Sequence, residues 1–281
     1  MTAEHIIGIY VVSDETMRAL GHTSHPLAQV SDAEVLSVAV VAAAFFGNHH
    51  ARALAILRAT GYLPRALSTA RFSRRVHALA DWLVLLLEVL GALFAHGQAA
   101  ICDFIIASLP IPVCKRVRAR RCRTVQGRDY CGSCAAKKEK FFGWRLHLVC
   151  TTRGLPVAFT LLPGGFHDLP PLHELSVELP PGAWVYGDKG YTSAPDEAVI
   201  RATGGGVLVP LHQDTRAPNT RAEQCGLRTF RLAIETVNSQ LTAMGLAHLH
   251  VRSVAGLEIK VHASLRALAC LNLDYRPSGK E

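Results

Sequence analysis

From Ser31 to about residue 97 the apolar positions recur every three to four residues, and beyond that point they alternate or run together in short stretches. The first spacing predicts helices and the second predicts strands. "SDAEVLSVAVVAAAFFGN" opens with Ser31 and Glu34 at capping-box spacing and closes at Gly47. "HHARALAILRATGYLP" predicts a second helix ending near Gly61 and Pro64. "STARFSRRVHALADWLVLLLEVLGALF" predicts a third, with Arg71, Arg74 and Arg75 on its first turns and apolar residues thereafter. Residues 1–97 are therefore expected to form an all-helical module with one basic edge.

After Gly97, "AICDFIIASLPIPV" predicts a first, buried strand that stops abruptly at its two prolines. "GWRLHLVCTTRGLPVAFTLLPGG" predicts a hairpin turning at Arg153 and Gly154. A short helix in "HDLPPLHELSVELP" precedes a fourth strand, "AWVYGDKGY", ending at Asp188. A helix capped by Ser193 and a fifth strand, "GVLVPLH", follow. The polar loop "QDTRAPNTRAEQ" leads into a helix through Glu235, and a last helix runs from Val254 to Leu271. The order β-β-β-α-β-α-β-α predicts a mixed α/β layer in which the ends of strands one and four lie side by side. Those ends are the neighbourhoods of Ala107 and Asp188, and the helix bearing Glu235 is expected to cross them.

Composition narrows the classes. The chain has 281 residues, 49% of them hydrophobic, enough for a proper core and too many for a disordered chain. The longest apolar stretch, Trp82 to Phe94, is broken by Glu88 and falls short of the ~20 residues of a membrane span, so no membrane partner is expected. The chain opens without a secretory leader pattern, which sets a reducing cytosol as the expectation and leaves the eight cysteines mostly as thiols. Thirty Lys and Arg against 22 Asp and Glu give a net charge of +8, a balance that suits polyanions. Seven of these cations lie between Lys115 and Arg128 with no acid among them. Lys115, Arg116, Arg118, Arg120, Arg121 and Arg123 are candidate phosphate contacts, Lys137, Lys138 and Lys140 extend them, and Arg71, Arg74 and Arg75 repeat the pattern more weakly; a solvated basic loop is the alternative.

Phosphodiester chemistry at neutral pH commonly uses two Mg²⁺ ions roughly 3.5–4 Å apart, held by a few carboxylates. Asp188, between glycines at a strand end, suits such a site; a solvated turn residue is the alternative. Glu235 lies on an amphipathic helix, where a surface Glu is common. Cys114, Cys122, Cys131 and Cys134 could hold a structural Zn²⁺ or stand as separate thiols. His147 alternates with Leu146 and Leu148 and is expected to pack or to face DNA. His167 and Asp168 are expected to shape the wall of the site.

"SLPIPVCKRVRARRC", "KKEKFFGWRLHLVCTTRGLPVAFTLLPGGFHD", "VYGDKGY" and "IETVNSQL" together resemble the DDE transposases of bacterial insertion sequences, most closely the nine-eighty-two group, and the likeness extends into "FFGNHHARALAILRATGYLPRALSTARFSRRVH". The resemblance implies a ribonuclease H-like domain over residues 98–281, with a mixed five-stranded sheet, preceded by a helical DNA-binding module over 1–97. It implies a two-metal site for Mg²⁺ or Mn²⁺ and cleavage and joining of double-stranded DNA at terminal inverted repeats and target. It also implies a homodimer holding two ends, in the bacterial cytoplasm on the nucleoid. The second catalytic Asp falls on Asp188 and the Glu on Glu235, both metal ligands. Arg231 matches an Arg-x-x-x-Glu spacing, and Asn238 follows on the same helix toward DNA. The first catalytic Asp falls on Ala107. Asp103 shares its strand face but lies about 13 Å away at ~3.3 Å per residue, too far to replace it. The chain is thus expected to bind ends without cutting them, whether Ala107 is an introduced substitution or a natural one. A non-catalytic DNA-binding derivative and a nuclease that cuts without joining are the competing readings.

Overall fold

The computed structural model describes residues 2–63, 65–96, 103–134, 139–166, 179–187, 202, 205–208 and 221–273. The helix expected in "HDLPPLHELSVELP", the one capped by Ser193 and residues 213–220 of the polar loop lie largely outside the described residues, whereas 221–224, expected in that loop, already belong to the Glu235 helix. In chain order the helices are α1 (Ala3–Ala19), α2 (Asp32–Phe46), α3 (His50–Ala59), α4 (Thr69–Ala78), α5 (Ala80–His96), α6 (Arg221–Ala243) and α7 (Val254–Asn272). The strands are β1 (Asp103–Lys115), β2 (Cys131–Cys134), β3 (Glu139–Thr151), β4 (Pro156–Pro163), β5 (Trp184–Tyr186) and β6 (Gly206–Leu208). The chain divides into two units, Met1–Leu87 with Leu241–Glu281, and Glu88–Gln240.

The first unit is helical. The Ser31 hydroxyl accepts from Glu34 N–H at 3.1 Å while Glu34 accepts from Ser31 N–H at 2.5 Å, so both halves of the α2 capping box form. Gly47 ends α2 in the left-handed region, and Asn48 follows there too, at φ 65°. The buried Asn48 side chain donates at 2.9 Å to the Met244 carbonyl and to the Ser264 hydroxyl, tying this turn to α7. Residues 263–269 of α7 are all buried, because a helix apolar around its circumference must be surrounded. It packs on α1, α2 and α4. Residues 241–273 therefore pack with the N-terminal helices, whereas the sequence pattern groups them with the sheet. The single third helix expected from residue 68 to 94 is two, bent by 56° at Leu79. Leu79 is buried and belongs to both stripes, Phe72 and Val76 before it and Leu83, Leu86 and Leu87 after it. Among the described residues no single helix is long and apolar enough to cross a membrane.

The second unit holds a mixed sheet in the order β2-β3-β1-β5-β6, with β4 also on β3. β1 pairs antiparallel with β3 and parallel with β5, and β6 continues parallel. The sheet has six strands among the described residues rather than five; the addition is β2, which pairs with Glu139–Phe142 ahead of the stretch of β3 that takes β4. β1 runs through both prolines to Lys115 instead of stopping at them. Pro110 and Pro112 are two apart, so both missing N–H groups fall on one edge, and past Ile105 that edge has no partner among the described residues. One face of the sheet buries Phe104, Ile106, Val149, Ala158 and Val185 against Phe94 and Ala95 of α5. The hairpin turns as expected, with Gly154 at φ 78° and its N–H donating to the Thr151 carbonyl at 2.9 Å.

Candidate active-site face and basic turn

Odd positions of β1 point away from α5. Asp103, Ile105, Ala107 and Leu109 form this row, since Phe104 and Ile106 occupy the opposite face. Ala107 lies opposite Leu148 of β3 and is 3% exposed. Ile105 lies opposite Tyr186 of the parallel β5. Asp188 follows Tyr186 by two positions, as Ala107 follows Ile105, and lies itself outside the described residues.

The phenol of Tyr186 donates to the Asp103 carboxylate at 3.0 Å. Burial, then the hydrogen bond and charge of Asp103, push its hydroxyl up to about 12. The Tyr186 ring meets that of Phe230 on α6, with centroids 3.9 Å apart and planes at 31°. Through this contact α6 sets Phe230 against Tyr186, on the sheet face that also carries Ala107. Phe230, Ile234 and Val237 are its inward positions at helical spacing, and Glu235 falls beside that stripe. The Glu235 side chain is 59% exposed and accepts from Arg231 Nε at 3.1 Å. The Arg231 to Glu235 spacing does place both on one helical face. Asn238, one turn on, is half-buried.

Of the expected two-metal ligands, Asp188 lies outside the described residues. Position 107 offers a methyl group, Asp103 is engaged by Tyr186, and only Glu235 of the expected triad is in view. No three His, Cys, Asp or Glu side chains among the described residues converge on a point. The same holds for zinc: Cys114 and Cys131 flank Phe142 in register, while Cys134, three residues along β2, takes the opposite face. All four candidate zinc ligands are free thiols, the alternative reading of these cysteines, and burial with the neighbouring Cys122 raises Cys114. His147 is fully buried on β3, where burial and then Arg145 push it down to about 4, so it packs rather than meeting DNA.

Beyond Lys115 the chain forms a 3₁₀ helix, Arg116–Arg121, on which the arginines are exposed while Ala119, and Cys122 just past its end, are half-buried. Lys115, Arg116, Arg118, Arg120, Arg121 and Arg123 are exposed, and no acid among the described residues pairs with the five arginines. Val117, 90% exposed, rides on the same turn. Lys140 is exposed on β3; Lys137, Lys138, His167 and Asp168 lie outside the described residues. Of the helical-unit cations, Arg71 and Arg74 are exposed. Arg75 is not available in the same way: it donates to the Val30 carbonyl at 2.7 Å and to Asp32 at 2.5 Å. The Asp103 to Tyr186 bond is the feature that sequence reasoning missed. Its signal was the parallel register of the first and fourth strands, which sets Asp103 against Trp184 and so within reach of Tyr186.

The family profile described as Transposase DDE domain matches residues 97–254. Neither the curated proteins nor the solved structures give a match.

Proposed function

We propose, from the premise that this chain belongs to the Transposase DDE domain family, that it binds transposon-end DNA and leaves it uncut because Ala107 stands where a catalytic carboxylate is required. The family acts on DNA by phosphodiester cleavage and transesterification, and its members generally use divalent metal ions. The matched span runs from before β1 into the start of α7 and so includes Ala107, Asp188 and Glu235. The finer reading is a ribonuclease H-like domain of the nine-eighty-two group, using Mg²⁺ or Mn²⁺. It acts as a homodimer on inverted repeats and target DNA, on the nucleoid in the bacterial cytoplasm. Two ends joined in one event favour a two-fold assembly.

One observation carries the reading: a buried alanine sits on the central strand, two residues past the point where the parallel neighbour β5 is in register. A methyl group supplies neither charge nor lone pair to a hard cation. What the chain's own residues offer as they stand is recognition: exposed arginines on the turn after β1, which neutralise backbone phosphates without reading bases.

Restoring the carboxylate tests this. End-labelled transposon DNA in Mg²⁺ should be bound and left intact by the parent, and cut and joined by Ala107→Asp. Cleavage by the parent would show that the first ligand lies elsewhere. A variant that binds but stays inert supports a non-catalytic DNA-binding derivative, the reading that Ala107 also favours, and cleavage without joining supports a nuclease.

A further inference from the structure

We propose that Asp103 is a positioning residue: by holding the phenol of Tyr186 down along the sheet, it sets the height at which α6 carries Glu235 over the row that contains Ala107.

The geometry starts from register. Tyr186 has its Cα opposite Ile105, yet its hydroxyl reaches the carboxylate of Asp103, which lies opposite Trp184. Two strand residues span about 6.6 Å, close to the length of a tyrosine side chain. The ring must therefore run back along β5, although strand side chains by default stand roughly perpendicular to the sheet. Laid down, it turns its face outward. Phe230 stacks on that face at 3.9 Å, near van der Waals contact. Gly226, one turn earlier on α6, adds no bulk there; a Cβ on it would lie 3.9 Å from Tyr186 and 3.8 Å from Phe230.

Releasing the phenol lets the ring stand up into the space that Phe230 fills. A phenol on end is several Å taller than one lying flat, and α6 is the element in its way. Glu235 follows Phe230 by five residues, about 7.5 Å along the same helix, so lifting or tilting α6 moves its carboxylate too. A misplacement of about 1 Å at a reacting group can lower a rate on the order of 10²-fold. Asp103 thus acts through Tyr186 and Phe230 and touches no reacting atom. That Glu235 is a reacting carboxylate rests on the reading above; the seating of α6 does not.

Hydrogen exchange on the intact Ala107 chain tests the seating without any activity. In Asp103→Ala the amides from Phe230 to Val237 should exchange about ten-fold faster, because a helix released from its seat opens locally. Asp103→Asn keeps an acceptor for the phenol and should exchange like the parent. The β1 and β3 amides, Ile106–Leu109 and Leu146–Val149, should stay unchanged in both. Unchanged α6 exchange in Asp103→Ala, or acceleration shared equally by β1 and β3, overturns the proposal. Should Asp103→Ala fail to fold, Tyr186→Phe removes the same bond while keeping the ring, with the same expected result. In the Ala107→Asp background, Asp103→Ala should slow single-turnover cleavage on the order of 10²-fold with Kd for DNA unchanged, and Asp103→Asn should recover it. An altered Kd at an unchanged rate overturns the positioning role. If Ala107→Asp itself does not cut, the transposase reading falls, and the exchange experiment still decides the role of Asp103.

Discussion

Arg266 is the largest fully buried side chain among the described residues, and its guanidinium makes one hydrogen bond to them, from Nη2 to the Ser13 hydroxyl at 3.1 Å. Nε and Nη1 are buried with no partner among those residues, and burial lowers the group's pKa. Asp32 shows what a compensated charge looks like in the same unit. Burial pushes its carboxyl up, but hydrogen bonds from Arg75 and His22 outweigh that and hold it below the usual range. Arg266 has no such anion among the described residues. Replacing even a paired buried ion by an apolar residue of similar volume is often stabilising by about 1–4 kcal/mol, so Arg266→Met should raise stability within that range. The measurement is the urea midpoint at constant m-value. Ser13→Ala should lower stability by roughly 1–2 kcal/mol, and so move the midpoint the other way, since it strips the guanidinium of its acceptor. A drop in stability in Arg266→Met would mean that the guanidinium holds an anion.

Between elements, a very close approach is made by glycine. A Cβ on Gly91 of α5 would lie 2.1 Å from the Val157 carbonyl oxygen of β4, so α5 meets the sheet backbone to backbone. Alanine is the better helix former by about 1 kcal/mol, yet overpacking against a main chain that cannot swing aside costs typically 1–3 kcal/mol. Gly91→Ala should therefore lower the thermal midpoint, and a raised midpoint would show that α5 sits farther from β4. This approach also marks what the sequence could and could not reveal. Local devices were legible: the Ser31 capping box, the Gly47 stop, the Gly154 turn, the last helix and the Arg231 to Glu235 pair all depend on residues within a few positions of each other. β2 was not legible, because "CGSC" has no alternation and is a strand only through its pairing with β3. β1 passes through two prolines while still paired with β3, Pro110 opposite Arg145 and Pro112 opposite Gly143, which only the sheet reveals. α1 offered no strong stop or period, and its hydroxyls at Ser13 and Thr16 bond back to carbonyls four residues earlier. The bond from Tyr186 to Asp103 joins residues 83 apart and needed the register of two strands.

For the molecule as a whole, the question is whether its +8 net charge acts as a diffuse field or through the turn that follows β1. At physiological ionic strength charges are screened over about 8 Å, so only cations close to phosphates displace counterions on binding. Arg116, Arg118, Arg120 and Arg121 are exposed on one six-residue 3₁₀ helix, two turns long, where three residues per turn fan them outward. Changing all four to Ala takes the net charge from 8 to 8 − 4 = 4. Each arginine–phosphate pairing removed should reduce the slope of log K against log salt by ~0.9, hence by up to ~3.6 if every one of the four meets a phosphate. A second variant with Arg18, Arg58, Arg65 and Arg252 changed to Ala has the same net charge, but its missing cations are scattered along the helical unit. Salt titrations of both on duplex DNA separate the two cases. If the turn meets the phosphates, its variant loses the larger part of the slope and binds more weakly at every salt concentration, while the scattered variant stays within about one unit of the parent. Equal reductions in the two would assign binding to overall charge and leave the arginine turn facing solvent.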